Sequence, residues 1–340
     1  MNVYKDISVA SHERVVYCEN IDVGLKAFIA VHNTQRGPSL GGCRMWDYDT
    51  EADALCDVLR LSRGMTFKNA LADLDIGGGK SVIWGNSKTQ KTPLLLKAMG
   101  EFVQYMNGRY IIAEDVGMTV KDILVIREIT KFTPDPTAGD PGPTTAKGVY
   151  IGIKEACKFL YGTDILSGIQ VAVQGAGSVG LALIEHLRKE NAEVYVADIS
   201  QRNLQKAIAL GSIPTSVDSI HSVDCHVFAP CALGAIINDT TVPQLNCDIV
   251  AGSANNQLLE SSHGADLLKA GILYAPDYVI NAGGVIMIAG ETTDGFDHSI
   301  VDRKVNNIGS TLAGIFEASR KTGTPTNIIA REMANKMLQG

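Results

Sequence analysis

The chain has 340 residues, of which 45% are apolar and 20% are charged, a composition that excludes a mainly disordered protein. The 30 Lys and Arg residues against 37 Asp and Glu residues give a formal net charge of −7. A mildly acidic chain without a basic block is a poor candidate for binding nucleic acid or an anionic membrane surface. At about 150 residues per domain, the length predicts two domains.

The N-terminal residues and the cysteines indicate a protein of the reducing cytoplasm. Asp6 and Glu13 precede any apolar core, so no secretory signal is expected. The uncharged stretch 225–238 is shorter than the ~20 residues that span a bilayer. The seven cysteines form no CxxC pair and the seven histidines no HExxH motif. We therefore expect neither a disulfide framework nor a bound metal.

Strand and helix patterns alternate in the first part of the chain. β-branched and aromatic residues predict strands at 15–18, 25–32, 81–84 and 109–113. Apolar residues at helical spacing predict a helix through 52–59 that Gly64 ends, and a second helix over 94–106. Segment 38–46 is predicted to be a glycine turn, with Lys68 placed after the first helix. Helices between strands indicate an α/β domain.

A proline-rich segment, 133–143, then interrupts the pattern. It contains four of the eleven prolines and two glycines, so it is predicted to form neither a regular helix nor a strand. It is either a surface loop or an interdomain connection, and a new α/β series beyond it favours the connection. Strands of that series are predicted at 171–174, 194–197, 226–229, 249–252 and 273–275.

A glycine motif opens the second series. Gly175-Ala176-Gly177-Ser178-Val179-Gly180 directly follows a predicted strand and begins a predicted helix. Its first glycine permits a tight turn, its second lets the backbone approach a pyrophosphate, and its third lets helix and strand pack closely. The helix N-terminus supplies N–H groups and a positive dipole for phosphates. The motif therefore predicts a dinucleotide site, and a purely structural turn is the alternative.

The choice of dinucleotide depends on Asp198, which ends the next predicted strand. Its carboxylate would accept hydrogen bonds from the adenosine ribose hydroxyls and would repel a 2′-phosphate. Ile199 follows it where an NADP site would place an arginine. These residues predict NAD as the cofactor.

Three glycines, 77–79, precede Lys80. Most lysines are solvated surface charges. Adjacent glycines carry a backbone entropy cost, however, and indicate that something approaches the chain closely. Because burial disfavours the charged form of a lysine, we expect Lys80 to be an uncharged amine that acts as a general base. Asp115 is a carboxylate that could relay protons.

Several blocks of the sequence together resemble a known family. They include GPSLGGCRMW, DVLRLSRGMTFKNA, GGGKSVI, NGRYIIAEDVG, VAVQGAGSVG, AGSANNQL and YAPDYVINAGGVI. On these blocks the chain resembles the glutamate/leucine/phenylalanine/valine dehydrogenase family, and most of all its leucine branch. The resemblance covers about residues 13–290.

The resemblance implies a fold and a division of labour. An α/β substrate-binding and oligomerisation domain would cover residues 1–138, and a Rossmann-type NAD-binding domain would cover 139–321, with the reaction in the cleft between them. A C-terminal helix at about 322–340 would pack back on the first domain. Family members form dimers or octamers, so a homo-oligomer is expected.

The resemblance also assigns roles to individual residues. Lys80 is similar to the catalytic base that activates water, and Asp115 to the proton-relay carboxylate. Lys68 and the backbone N–H groups of Gly41 and Gly42 resemble the clamp on the substrate α-carboxylate. Asn255 would lie near the nicotinamide and the substrate. The remaining implied cofactor contacts are Thr145 at the carboxamide and Cys231 and Ala232 beside the adenosine.

The implied side-chain pocket is apolar, formed by Leu40, Ala113, Val285 and Ile288. The glutamate branch has a lysine at the position of Leu40, so burying a substrate carboxylate here would be unfavourable by several kcal/mol. Oxidative deamination of L-leucine and other branched-chain amino acids to 2-oxo acids, ammonia and NADH is therefore expected. Ile288 is larger than the residue expected there, which favours valine or 2-aminobutyrate.

Other functions compete with this hypothesis. Within the class, the alternatives are a valine or a phenylalanine dehydrogenase. Outside it, the alternative is an inactive NAD-binding sensor. A sensor would need the glycine motif and Asp198, but not the combination of Lys68, Lys80 and Asp115, so their joint presence favours the enzyme.

Overall fold

The computed structural model describes residues 11–134, 139–232, 234–288, 290–292 and 295–339, and the chain forms two compact units. The boundary between the units falls between Gly139 and Asp140. Residues 337–339 group with the first unit, whereas the preceding part of the C-terminal helix groups with the second. Within the proline-rich segment, residues 135–138 lie outside the described residues.

The first unit is built on a five-stranded sheet with strand order β1-β2-β4-β3-β5. β1 and β4 are both antiparallel to β2, whereas β3 runs parallel to β4 and β5. The strands are β1 (Arg14–Asn20), β2 (Leu25–Asn33), β3 (Ser39–Trp46), β4 (Gly77–Trp84) and β5 (Tyr110–Glu114). Its helices are α1 (Glu51–Leu71), α2 (Pro93–Tyr105) and α3 (Val120–Arg127).

Alternation along β2 explains why this sheet is covered on both faces. Ile29 contributes to a core with Met99 of α2 and Ile126 of α3. Its neighbour Phe28 contributes to a separate core with Val58 of α1. Because successive side chains of a strand point to opposite faces, α1 covers one face and α2 and α3 cover the other. The face under α1 is called the α1 face below.

The helices begin where the sequence supplies capping residues. The Thr50 side chain accepts a hydrogen bond from the Asp53 N–H, and Thr92 precedes Pro93 at the start of α2. Thr119 and Asp122 form a reciprocal capping box at α3. Each threonine satisfies backbone donors that the first turn leaves without a helical partner.

The second unit contains a six-stranded sheet, all parallel, with strand order β11-β10-β9-β6-β7-β8. The strands are β6 (Gln170–Gln174), β7 (Glu193–Ala197), β8 (Ile213–Pro214), β9 (Cys225–Pro230), β10 (Cys247–Val250) and β11 (Leu273–Tyr274), and β12 (Glu291–Thr292) and β13 (Gly295–Phe296) form a separate hairpin. The helices are α4 (Gly142–Tyr161), α5 (Ser178–Lys189), α6 (Gln201–Ala209), α7 (His263–Lys269), α8 (Asp277–Ile280), α9 (Gly283–Ile288), α10 (His298–Thr322) and α11 (Thr326–Gln339). Short 3₁₀ helices lie at Ile220–Ser222 and Val242–Gln244.

The strand order has a reversal at its centre. From β6 the chain proceeds outward through β7 and β8, then returns to the other side of β6 and continues through β9 to β11. In open parallel sheets, ligands bind at the carboxyl ends of the two strands that flank such a reversal, here β6 and β9. The predicted class, two α/β domains of which the second is Rossmann-like, is confirmed.

Four local predictions were wrong. The expected glycine turn at 38–46 is the strand β3, because Gly41 and Gly42 pair with β5 inside the sheet. Gly64 does not end α1, which continues to Leu71 and carries Lys68 in its last turn. The strand predicted at 81–84 begins four residues earlier, so the glycines 77–79 belong to β4. Gly142 and Pro143 begin α4, since proline is tolerated in the first turn of a helix.

In the described part of the chain, the helices are too short or too polar to cross a bilayer. All seven cysteines lie in that part, and each is a free thiol.

Candidate active site

Lys80 and Asp115 form a buried ion pair in the first unit. The Lys80 Nζ lies 2.9 Å from the Asp115 Oδ2, and the two side chains are 7% and 15% exposed. Lys80 lies in β4, and Asp115 directly follows β5. The two residues that the sequence predicted to act together are therefore in direct contact.

Strand register explains this contact. Cys43 of β3 pairs with Ser81 of β4 and with Glu114 of β5. Lys80, one residue before Ser81, and Asp115, one after Glu114, therefore lie on the same face as Arg44. This is the α1 face, because Lys80 pairs with Ala30, whose side chain belongs to the core under α1.

Arg44 is the second cation on Asp115. Its Nε lies 3.1 Å from the same Oδ2 that Lys80 contacts. Its Nη1 lies 2.9 Å from the Asp57 Oδ2 on α1. Asp57 in turn accepts a hydrogen bond from the Tyr48 hydroxyl at 2.7 Å and pairs with Arg60. Charges of alternating sign thus continue from Lys80 to the edge of α1.

These cations determine the ionisation of Asp115. Burial alone would raise the pKa of this carboxyl group. The Lys80 ammonium and the Arg44 guanidinium outweigh that effect and lower the pKa to about 2. Asp115 is therefore a carboxylate at neutral pH. The Lys80 amine, predicted to be an uncharged base, is the nearer of the two basic groups at this carboxylate.

The three glycines before Lys80 have a structural explanation that the sequence did not reveal. A Cβ on Gly78 would lie 2.1 Å from the Thr66 backbone N, so glycine here lets α1 approach the sheet. A Cβ on Gly79 would lie 2.6 Å from the Ser39 Oγ. The close approach that the glycines predicted is made by the chain itself.

The proposed carboxylate clamp lies on the same face. Gly41 and Gly42 pair with Ile112 and Ala113 of β5, and a Cβ on Gly42 would lie 2.8 Å from the Asp115 Cβ. A Cβ on Gly41 would lie 3.3 Å from the Met65 Cγ of α1. Lys68 is three residues after Met65, on the same side of that helix. Gly42 thus lies against Asp115, and Gly41 lies against the turn of α1 that precedes Lys68.

The four residues of the predicted side-chain pocket are divided between the two units. Leu40 and Ala113, 1% and 8% exposed, lie on adjacent strands β3 and β5 of the first unit, on the α1 face. Val285 and Ile288 lie in α9 of the second unit, three residues apart and both half-buried. The next residues, Ile286 and Met287, are buried.

The glycine motif of the second unit has the conformation that dinucleotide binding requires. Gly175 has φ +98°, which favours glycine. A Cβ on Gly180 would lie 2.0 Å from the Gly175 O, whereas a Cβ on Gly177 would meet no atom within 4 Å. Gly177 precedes α5 and leaves open space beside the helix N-terminus, where a pyrophosphate would accept backbone hydrogen bonds. The residues present therefore fit the pyrophosphate of a dinucleotide.

Asp198 lies at the end of β7 beside this motif. It accepts hydrogen bonds from the N–H groups of Ala176 and Ser200, both at 2.6 Å. The residue that follows Asp198 is Ile199, an apolar side chain rather than a cation, and it is 91% exposed. These hydrogen bonds hold the Asp198 carboxylate against the glycine motif at 175–180.

The other predicted cofactor residues of the second unit lie around the same strands. The Cys231 N–H donates to the Gln174 O at 2.7 Å, and a Cβ on Gly175 would lie 2.9 Å from the Ala232 Cβ. Ser178 donates a hydrogen bond to the Asp140 Oδ2 at 2.6 Å. Val179 follows it in the first turn of α5.

Thr145 and Asn255 complete the predicted set. The Thr145 hydroxyl donates to the Pro141 O in the first turn of α4. Asn255 is exposed, and its Oδ1 accepts a hydrogen bond of 2.8 Å from the Asn281 Nδ2. Asn281 is 5% exposed and holds Asn255 in place, a contact that the sequence did not predict.

Arg44 and Asp57 were also missed. Arg44 itself was a usable signal, because it stands among apolar residues and a buried arginine is almost always paired with a carboxylate. No sequence pattern indicated which carboxylate would pair with Arg44. Among the described residues, no cluster of three or more His, Cys, Asp or Glu side chains is arranged to hold a metal ion.

Comparison with known proteins identifies the family. Residues 12–132 match the profile described as Glu/Leu/Phe/Val dehydrogenase, dimerisation domain. Residues 198–337 match the profile described as Glutamate/Leucine/Phenylalanine/Valine dehydrogenase. The chain therefore carries a dimerisation domain and is expected to form a homo-oligomer.

Individual relatives agree with these profiles. The chain is 46% identical to a leucine dehydrogenase of Thermoactinomyces intermedius, over 100% of this chain and 94% of the relative. It is 44% identical to a phenylalanine dehydrogenase of Caldalkalibacillus thermarum, over 97% and 92%. The crystal structure of L-tryptophan dehydrogenase from Nostoc punctiforme matches with a TM-score of 0.85 and 40% identity, over 99% of this chain and 98% of that one.

The profiles, the full-length relatives and the Rossmann-like second unit lead to one conclusion. The chain belongs to the glutamate/leucine/phenylalanine/valine dehydrogenase family and is an NAD(P)-dependent amino-acid dehydrogenase.

Proposed function

We propose that this enzyme catalyses the reversible, NAD-dependent oxidative deamination of L-leucine and other branched-chain amino acids. The observation that carries the proposal is the buried, apolar Leu40 on the α1 face, close in the sheet to the Lys80–Asp115 pair. A substrate side chain placed against Leu40 and Ala113 would meet no cation there. An aliphatic side chain suits such a surface, and a carboxylate does not.

The proposed chemistry assigns separate tasks to two lysines. Lys68 stays cationic and, with the backbone N–H groups of Gly41 and Gly42, holds the substrate α-carboxylate. Lys80 exchanges protons with the water that adds to the substrate iminium, and Asp115 holds and relays the proton. Different environments let two lysines perform opposite tasks.

We propose NAD as the cofactor, held by Gly175, Gly177 and Gly180 at its pyrophosphate and by Asp198 at its adenosine ribose. NAD, when bound, accepts the hydride that leaves the substrate Cα. Thr145 and Asn255 would orient the nicotinamide end, and Cys231 and Ala232 would contact the adenosine. The Asp198 carboxylate would repel the 2′-phosphate of NADP.

Val285 and Ile288 are proposed to contact the same substrate side chain as Leu40 and Ala113. One methylene in an apolar pocket changes the free energy of binding by only ~1–3 kcal/mol. Leucine, isoleucine and valine are therefore all expected to react. A larger aromatic substrate is the second candidate, favoured by the 44% identity to a phenylalanine dehydrogenase.

The test is a panel of L-amino acids incubated with enzyme and NAD, with NADH formation followed by absorbance. Branched-chain amino acids are expected to give the highest kcat/KM, and glutamate a value at least ~1000-fold lower, because its carboxylate would be buried without a partner. A Leu40→Lys variant is expected to lose leucine activity and gain glutamate activity.

Other outcomes point to the alternatives. A highest kcat/KM with phenylalanine would establish the aromatic specificity, and equal rates with leucine and glutamate would contradict the pocket argument. Bound NADH without turnover of any amino acid would favour the non-catalytic NAD-binding protein. Light scattering on the purified protein would distinguish the dimer from the octamer.

A further inference from the structure

Two cations share one oxygen of Asp115. Lys80 Nζ lies 2.9 Å and Arg44 Nε 3.1 Å from the Asp115 Oδ2. All three side chains are at least four-fifths buried, so water screens the contact weakly. A carboxylate oxygen that serves two cations holds each of them less strongly than it would hold one alone.

Arg44 is itself rigidly held. Its Nη1 pairs with the Asp57 Oδ2 at 2.9 Å, so the planar guanidinium spans Asp57 of α1 and Asp115 beyond β5. Asp57 is fixed by the Tyr48 hydroxyl and by Arg60. A guanidinium is suited to this task because its N–H groups are in a fixed fork and it is always charged.

We propose that Arg44 is a positioning residue that competes with Lys80 for the Asp115 carboxylate, so that Lys80 can release its proton at the pH where the enzyme works. This inference rests on the proposed roles of Lys80 as base and Asp115 as relay. Without Arg44, Asp115 would serve the Lys80 ammonium alone and would stabilise the protonated, inactive form of the base.

The surroundings of the pair contain few other charges. The groups that interact with it electrostatically include Cys43 and Tyr110, whose side chains lie in the core on the opposite face of the sheet. On the α1 face they are Tyr48, Asp57 and Arg60 through Arg44, and Lys68 of α1 is the proposed substrate clamp. Burial raises the pKa of the Cys43 thiol to about 12 and raises that of Tyr110 well above its ordinary value, so both are neutral near pH 7. Arg44 is thus the cation that balances Lys80 at Asp115.

The experiment measures kcat against pH for the full-length wild type and for Arg44→Gln. The readout is the midpoint of the pH dependence of kcat. Arg44→Gln is expected to move the midpoint to higher pH by about one unit, the size expected for one neighbouring charge. At a pH below both midpoints its kcat is expected to be about 10-fold lower than that of the wild type, since there each pH unit is tenfold in the active fraction.

Two further variants separate this effect from a loss of packing. Asp57→Asn removes the charge that offsets Arg44, so Arg44 pulls harder on Asp115 and the midpoint is expected to move to lower pH. Arg44→Lys keeps the charge and is expected to keep the midpoint within a few tenths of a unit of wild type. A damaged structure would not shift the midpoint in opposite directions.

Arg36→Gln is the matched control. Arg36 also forms an ion pair in the first unit, but with Asp73 at 2.7 Å rather than with Asp57 or Asp115. Its removal is expected to leave the midpoint and kcat at wild-type values. NADH binding, followed by fluorescence, is expected to be unchanged in every variant.

A wild-type midpoint in Arg44→Gln overturns the inference, as does a lower kcat without any shift. If Arg44→Gln does not fold, Asp57→Asn decides: a lower midpoint supports the inference, and an equal or higher one overturns it. Lys80→Ala is measured in parallel. Full activity in Lys80→Ala would contradict the proposed base itself, whereas an inactive Lys80→Ala with a wild-type Arg44→Gln profile would contradict the role of Arg44 alone.

Discussion

The Nζ of Lys80 lies 2.9 Å from the Oδ2 of Asp115, so the base and the relay proposed for this enzyme already share a proton path. The pair is buried on the α1 face, where Arg44 is a second partner of the same oxygen. Proton transfer between two groups at this distance needs no intervening water.

Replacing Lys80 by Ala is expected to lower kcat by 10²–10⁴-fold, about the contribution of a positioned general base. NADH binding is expected to persist, because the cofactor residues lie in the other unit. Stopped-flow or steady-state assays with L-leucine and NADH fluorescence titrations measure the two properties.

Lys91→Ala is the control for that variant. Lys91 also forms a buried ion pair in the first unit, with Asp122 at 2.7 Å. The Lys91→Ala variant is expected to lose this ion pair and to keep the kcat of the wild type. A near-normal rate in Lys80→Ala would remove Lys80 from the mechanism.

Asp198→Asn is expected to narrow the preference for NAD over NADP by about 10–100-fold, since a hydrogen bond to a charged group contributes ~1.5–3 kcal/mol. The amide keeps the shape of the side chain but loses the charge that would repel a 2′-phosphate. Dissociation constants of NADH and NADPH, measured by fluorescence, test this. Asp218→Asn, an exposed carboxylate of the same unit, is the control for net charge. An unchanged ratio would exclude Asp198 as the discriminating group.

Gly64→Ala is expected to stabilise the protein by about 0.5–1 kcal/mol, because Gly64 lies inside α1 and alanine is the better helix former. A Cβ there would meet no atom within 4 Å. Gly78→Ala is the contrasting variant. Its free energy of unfolding is expected to fall by about 1–3 kcal/mol from overpacking, since the new Cβ would lie 2.1 Å from the Thr66 N. Urea denaturation compares them. Destabilisation by Gly64→Ala would mean that this part of α1 is not helical.

The stability of the enzyme should depend on His32 below neutral pH. Burial lowers the pKa of this imidazole to about 4, assisted by the neighbouring His12 and Arg63. The folded state thus favours neutral His32, and the unfolded state takes up a proton first, near pH 6.5. This stabilisation is complete above pH 6.5, declines as the pH falls, and is absent below about pH 4.

Chemical denaturation at pH 7 and pH 5 checks the sign. Between pH 7 and pH 5 the free energy of unfolding of the wild type is expected to fall by roughly 1 kcal/mol more than that of His32→Gln. This value includes a reduction for the partial solvent exposure of His32. Glutamine is chosen because its amide can replace the hydrogen bond of 2.8 Å between His32 Nδ1 and the Thr66 Oγ1. Equal losses in both proteins would show that His32 titrates normally.

The sequence was sufficient for features that depend on local pattern. The glycine motif at 175–180, its preceding strand and following helix, and the acidic end of β7 all occur where they were predicted. A short strand–turn–helix has a fixed geometry, so residue types at fixed spacing determine it. Lys80 and Asp115 were likewise recognisable from the blocks around them.

Tertiary structure decided what depends on packing between distant segments. Glycines 77–79 and 41–42 suggested turns or a ligand, but they are strand residues that let α1 and neighbouring strands approach. The sequence did not identify Asp57 and Asp115 as the two partners of Arg44, because they are 13 and 71 residues away from it along the chain. Packing of α1 on the sheet brings Asp57 to Arg44, and strand register brings Asp115 there. Local propensity acts over a few residues, whereas the position of a charge on the α1 face is fixed by long-range strand pairing.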